Sequence, residues 1–229
     1  MTALLSSAPF WICVSIACYA FGQKVQRRTG SALFNPLLIA SVLVGLLLVC
    51  TGTSYETYNQ SGRLISFFLT PATVALAVPI YRKLDVLRQN LFPILAGALV
   101  GSVVSIASVI LFSRLFGLSD TTMRSLIPKS VTTPIAIAVS EQLGGITSIT
   151  VAAVSITGIL GAIFAPLMSK IFRVNNRIAK GVAIGTCSHA VGTTKALEMG
   201  ELEGAMSGVS IAVSGLLTTA IVIIAGCFM

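Results

Sequence analysis

Charge is what this chain has least of. Lys, Arg, Asp and Glu make up 10% of its 229 residues, against roughly 25% in an ordinary soluble domain, so it cannot cover itself with a water-soluble surface. Acidic groups are scarcest, seven against fifteen basic ones. No Asp or Glu falls in a clear spanning segment, and with a single histidine the chain is short of groups for acid–base chemistry inside a membrane. Cys13, Cys18, Cys50, Cys187 and Cys227 are odd in number and include no C-x-x-C pair, which indicates neither a disulfide framework nor a metal site. They read as small packing residues within helices. There is no G-x-S-x-G elbow, H-E-x-x-H helix or G-x-x-x-x-G-K-[ST] loop, so neither an enzyme activity nor a cofactor is expected.

What the chain has instead is apolar length. Hydrophobic residues reach 55% and the mean hydropathy is +0.95. Residues 4–21, 33–50, 91–113, 146–169 and 205–228 each form a run long enough to cross a bilayer, which needs about 18 residues or more. The net charge of +8 does not point to nucleic acid, because the basic residues sit at the ends of these runs. Lys24, Arg27 and Arg28 follow the first, Arg82, Lys83 and Arg88 follow the apolar stretch 64–81, and Lys170, Arg173, Arg177 and Lys180 follow the run ending near 169. Such clusters mark cytoplasmic loops. The first run carries its positive charges after it, so it is expected to stay as a helix and not to be removed as a signal peptide.

Reading every apolar stretch as a crossing gives 4–21, 33–50, 64–81, 91–113, 123–140, 146–169, 181–197 and 205–228. With Lys24 to Arg28 inside, a full crossing by 123–140 would put Lys170 to Lys180, the densest basic cluster, outside. The conflict disappears if 123–140 dips in from the outer face and returns. Pro128 and Pro134 bracket Lys-Ser-Val-Thr-Thr, and proline lacks an amide donor and clashes with the preceding turn, so an unbroken helix is not expected. Interrupted backbone at membrane depth persists only where protein or a wet cavity satisfies it. The stretch is therefore expected to line a site.

Residues 181–197 hold a second interruption, Gly185-Thr-Cys-Ser-His-Ala-Val-Gly-Thr-Thr-Lys195, dense in glycine and hydroxyls. A re-entrant loop from the cytoplasmic side and a broken crossing both fit; the first puts the C-terminus outside, the second inside. A third lies at Leu69-Thr-Pro71-Ala-Thr73. Setting Pro71 on Pro128 brings Val74 onto Val131 and Gly101 onto Gly158, a weak signal of the internal repeats found in transporters. Residues 171–182 read as a short amphipathic helix along the cytoplasmic surface.

Lys129 and His189 decide the functional reading, since an ionisable side chain within a membrane costs about 2.5 to 3.5 kcal/mol on insertion scales and usually serves a purpose. Lys129 beside Ser130, Thr132 and Thr133, on broken helix ends, offers a cation, hydroxyl donors and free amides together. That set suits a small carboxylate. His189, the one histidine, ordinarily titrates near pH 6.5 and suits proton coupling; a neutral imidazole bonded between helices fits equally. Thr186, Ser188, Thr193 and Thr194 are candidate substrate contacts, as are Asn35 and Thr70 beside Pro36 and Pro71, where backbone groups open to a cavity. Each of these also has an ordinary role within or between helices. Trp11, Tyr55 and Tyr58 read as interface aromatics.

At these same residues the sequence resembles the LrgB/CidB family. Leu126-Ile-Pro-Lys-Ser-Val-Thr-Thr-Pro-Ile-Ala136 and Gly185-Thr-Cys-Ser-His-Ala-Val-Gly-Thr194 are similar to its two hallmark segments, and Asn35-Pro-Leu-Leu38 and Leu69-Thr-Pro-Ala-Thr-Val-Ala-Leu-Ala77 to its earlier ones. The resemblance implies one of two functions: a holin- or antiholin-like regulator of murein hydrolase activity and autolysis, or a carrier of small monocarboxylates (pyruvate, glycolate or glycerate). It also implies a small membrane partner of the LrgA/CidA type and a bacterial inner membrane; self-association stays open. The residues favour the carrier, because opening a lesion requires no lysine and histidine on broken segments. The expectation is one all-α transmembrane domain over 1–229, of about six to eight helices with broken or re-entrant segments. Lys129, Ser130, Thr132, Thr133, Ser188, His189, Thr193, Thr194, Asn35 and Thr70 would form its substrate site, and Gly97, Gly101, Gly158 and Gly161 would let its helices pack closely.

Overall fold

A computed structural model describes residues 7–29, 34–68, 71, 74–75 and 77–226 of the chain. Among them are eleven helices and no strand. The chain divides between Ala75 and Leu76 into two compact units.

In the N-terminal unit, α1 (Ala8–Thr29) packs against α2 (Pro36–Thr51) and α3 (Tyr55–Phe67). Pro36 opens α2 at a position where its missing amide costs nothing, and the Asn35 side chain accepts from the Leu37 amide at 2.9 Å. Gly52, in the left-handed region at φ 63°, ends the helix. Cys18, Ala40 and Val44 form the core, with Tyr58 packed against it. Trp11 is 1% exposed and stands edge-on to Tyr58, whose hydroxyl lies 3.1 Å from Ser15 Oγ. This corrects the reading of Trp11 and Tyr58 as interface aromatics; they hold α1 to α3, while Tyr55 is exposed.

The C-terminal unit begins with two short helices, α4 (Ala77–Arg82) and α5 (Leu84–Gln89). Three long apolar helices follow: α6 (Leu91–Leu115), α9 (Thr147–Ile171) and α11 (Glu201–Gly226). Among the described residues these three are long and apolar enough to cross a membrane, each reaching roughly 37 Å or more at 1.5 Å per residue. The apolar α2 is shorter, at 16 residues. Between the long helices lie the two interrupted stretches, and neither is a crossing.

The first is α7 (Asp120–Leu126), a turn, and α8 (Thr133–Gln142). Its two ends meet. The Ile146 amide donates to Ser125 Oγ at 2.7 Å, the Thr150 hydroxyl lies 2.9 Å from the Ser125 carbonyl and 2.7 Å from Ser140 Oγ, and Arg124 donates to the Leu143 carbonyl. Ser125 and Ser140 thus share one level at the start of α9, and the chain between them runs inward and returns, as the charge distribution and the two prolines predict.

The second is α10 (Arg177–Met199), which reverses at His189 (φ 41°, ψ −142°). Arg177 grips Glu203 through two bonds of 2.8 Å next to Gly200, Gly185 and Thr193 both abut Ser207, and Leu197 packs on Gly204. A Cβ on Gly192 would lie 3.1 Å from Ile184, although eight residues along a straight helix span about 12 Å. The alternative left open in the sequence is thereby decided for a re-entrant hairpin. Residues 171–182 correct another expectation, since they form no helix of their own. Phe172 ends α9, Arg173 takes a left-handed turn at φ 51°, and Asn176 caps α10 by accepting from the Ile178 and Ala179 amides.

The hairpins enter from opposite ends. Ile94, Val182 and Met206 pack the start of α6, the α10 base and the start of α11; Val109, Val139 and Val222 pack the far parts of α6 and α11 with α8. Lys83 bonds Glu201 beside the α10 base, so the clusters Arg82 to Arg88 and Lys170 to Lys180 lie at the same end of this unit.

Candidate functional site

The tips of the two hairpins come together halfway along the long helices. On α9, the Val154 side chain packs against Val131 and Ala136 of the first hairpin, while its carbonyl accepts from His189 Nε2 of the second at 2.9 Å. A carbonyl can only accept, so Nε2 carries the hydrogen and Nδ1 is the basic nitrogen of the neutral ring. On α6, Ser105 Oγ lies 2.6 Å from Ser130 Oγ of the first tip, and Gly101 receives Thr186 of the second. Lys129 and Cys187, one from each hairpin, are within electrostatic range of one another.

Glycine permits this approach at two points. Gly158 lies under the His189 ring and Gly161 under Ser188, so closely that a methyl group at either would overlap the tip. His189, 4% exposed, is held in a backbone region that only glycine adopts freely, a strain of about 1 to 3 kcal/mol that its surroundings sustain.

The ion pairs among the described residues join Arg82 and Lys83 to Glu201, Arg177 to Glu203, and Lys195 to Glu198. They leave Lys129 without a carboxylate. The Thr132 side chain stands at the α8 N-cap but makes no capping bond, and the first amides of α8 lack helical acceptors. Lys129 is half-buried and lines a cavity with Ser108 and Ser113, three residues before the uncapped start of α8.

Two cavities lead here from opposite ends. One of about 300 Å³ runs along α9 and the first arm of α10, from Phe172 and Lys180 to Cys187 and Ser188, between mostly apolar walls. The other, of about 280 Å³, runs from Phe116 and Leu118 past Ser113 and Ser108 to Lys129. Cys187 thus corrects the expectation of a packing cysteine by opening onto a cavity; Cys13 and Cys50 are likewise exposed and only Cys18 is buried, while Cys227 lies outside the described residues.

Of the candidate residues, Lys129, Ser130, Ser188 and His189 converge at the tips, with Thr132 and Thr133 at the adjoining start of α8. Thr193 and Thr194 sit a turn away on the second arm. Thr193 bonds the His189 carbonyl and Ser207, and Thr194 is exposed and bonds back to Val191. Asn35 belongs to the other unit, where it caps α2, and Thr70 lies outside the described residues. The sequence reading missed Ser102 and Ser105 on α6, Cys187, and the Arg177–Glu203 pair. A signal for the serines was present, since Ser102, Ser105 and Ser108 recur every three residues in an otherwise apolar run.

Among the described residues, three helices long and apolar enough to cross a membrane, with two opposed hairpins between them, are the architecture of an α-helical membrane protein. The chain belongs to the LrgB-like family, whose model matches residues 15–227. It is similar to proteins named antiholin-like protein LrgB from Bacillus mycoides (strain KBAB4), Bacillus cereus (strain B4264) and Bacillus anthracis (strain CDC 684 / NRRL 3495). Each is 39% identical over 214 residues, covering 93% of this chain and 93% of the relative. No solved structure matches the chain. The family is not a known enzyme family.

Proposed function

We propose that this chain carries small monocarboxylates of the pyruvate, glycolate or glycerate type across a bacterial inner membrane, holding them where the two hairpin tips meet. The observation that carries the reading is Lys129: a cation with no carboxylate partner among the described residues, lining one cavity and within electrostatic range of the Cys187 that lines the other. Lys129 would neutralise the carboxylate, and Thr132, Thr133 and the free amides of α8 would donate to its oxygens. Ser130 would exchange its bond to Ser105 for one to the substrate.

His189 anchors its tip through Nε2–H in both the neutral and the protonated ring. A proton taken up on Nδ1 leaves that anchor intact and adds a charge beside the anion, which suits symport. The end holding both basic clusters would be cytoplasmic, so the C-terminus would lie outside. Alternation would come from sliding the tips over Gly101, Gly158 and Gly161. A small LrgA/CidA-type membrane protein is the proposed partner.

Uptake of labelled pyruvate and glycolate into proteoliposomes, with and without that partner and at two pH values, tests the reading. Saturable uptake lost in Lys129→Ala, with uptake rising at the lower pH and losing that dependence in His189→Gln, is expected. A second reading, an antiholin-like regulator of autolysis, is favoured by the names of the relatives. It requires no saturable uptake, and dye release from the same vesicles together with full activity of Lys129→Ala would establish it over the carrier.

A further inference from the structure

Two buried side-chain oxygens among the described residues have no hydrogen-bond partner, Ser102 Oγ and Thr186 Oγ1. Their residues are 2% and 3% exposed. Leaving a buried hydroxyl unpaired is unfavourable, and such groups are rare enough in native proteins that each calls for an explanation. Thr186 belongs to the contact between α6 and the second hairpin, and Ser102 lies on α6 beside it in sequence. Thr186 packs on Gly101, the residue before Ser102, and it precedes Cys187, whose thiol is in electrostatic range of Lys129. Ser102 stands one turn before Ser105, the partner of Ser130.

We infer that Ser102 and Thr186 are hydrogen-bond donors to the transported anion, forming a subsite on α6 and α10. This rests on the carrier reading. It explains why two buried hydroxyls lack partners within the protein and why α6 presents serine within an apolar run. It also divides the work: Lys129 supplies charge, and the hydroxyl pair fixes the orientation in which the anion's oxygens are held.

Ser102→Ala and Thr186→Val, singly and together, test it in full-length protein, with Lys129→Ala alongside. Valine keeps the methyl group that packs on Gly101. Loss of a bond to a charged ligand corresponds to a tenfold to roughly hundredfold rise in KM for the labelled carboxylate. Because no partner is lost in the empty protein, its melting temperature in detergent should stay level or rise, while the shift induced by millimolar carboxylate disappears. Wild-type KM in the double variant while Lys129→Ala is inactive would overturn the inference and leave the carrier reading standing. A fall in melting temperature of the empty variants would also overturn it, by giving the hydroxyls a structural role. Absence of saturable uptake by the wild type would overturn both.

Discussion

The two hairpins solve one problem, turning a chain inside a membrane, by opposite means. The first spreads its turn over residues 127–132, which include Pro128 and stop just short of Pro134, and closes its base with the hydroxyls of Ser125, Ser140 and Thr150. The second concentrates its reversal in one strained residue, His189, and closes its base with the Arg177–Glu203 ion pair. A broad tip on a base closed without an ion pair can offer cation, hydroxyls and amides to a ligand. A tight tip on a charged base, its arms seated on Ser207 through Gly185 and Thr193, acts as a wedge that holds its position. The first hairpin should therefore be sensitive in function and tolerant in stability, and the second the reverse.

The largest effect is expected at Gly185. A Cβ there would overlap the Ser207 backbone, which cannot rotate away, so Gly185→Ala should lose more than about 3 kcal/mol, beyond the usual 1 to 3 for overpacking. Gly97→Ala is the control, because it meets only the movable Val182 methyl at 3.1 Å and should cost under about 1 kcal/mol. Thermal unfolding in detergent measures both. Equal losses would mean that α10 does not fold back on α11.

Next come the bases. Glu203 is 4% exposed although Arg177 is more than half exposed, so Arg177→Met, which removes that carboxylate's guanidinium partner, should lower the melting temperature more than any change at the hydroxyl base, and Glu203→Leu added to it should recover most of the loss. At the hydroxyl base Thr150→Val should cost only about 1 to 2 kcal/mol. If Thr150→Val were the more damaging, the contrast between a hairpin closed by an ion pair and one closed by hydroxyls would fail.

The difference also explains what could be read from the sequence. Pro128, Pro134 and the position of Lys170 to Lys180 announce the first hairpin, because proline acts locally and charge placement obeys a rule that needs no tertiary structure. The reversal at His189 has no such announcement. Nothing in a histidine's own preferences favours φ 41°; the reversal is imposed by Gly158, Val154 and Ser207 in other helices. Lys129, Ser130, Ser188 and His189 were legible because polar groups in an apolar chain are conspicuous. Thr194 and Asn35 were equally conspicuous, and their bonds to Val191 and to the Leu37 amide appear only once the backbone is in place.

His189 allows strain and anchoring to be separated. His189→Ala loses the bond to Val154 and keeps the unfavourable backbone, whereas His189→Gly loses the bond and releases the strain. Glycine should therefore be the more stable of the two by about 1 kcal/mol, the inverse of the order in a helix interior. Alanine melting higher than glycine would show that residue 189 lies in continuous helix.

The smallest effect is the most specific to the first hairpin. Ser119 caps α7 in the ordinary way, its hydroxyl accepting from the Thr122 amide at 3.3 Å, so Ser119→Ala should cost about 1 kcal/mol. Thr132 occupies the corresponding position on α8 and makes no such bond, so Thr132→Ala should change stability by less than about 0.5 kcal/mol. The same substitution should raise KM severalfold, because a cap hydroxyl that does not serve its own helix is free to serve an anion at that helix's N-terminus. A stability loss matching that of Ser119→Ala, with KM unchanged, would make Thr132 an ordinary cap and leave the first hairpin one donor short of the site proposed for it.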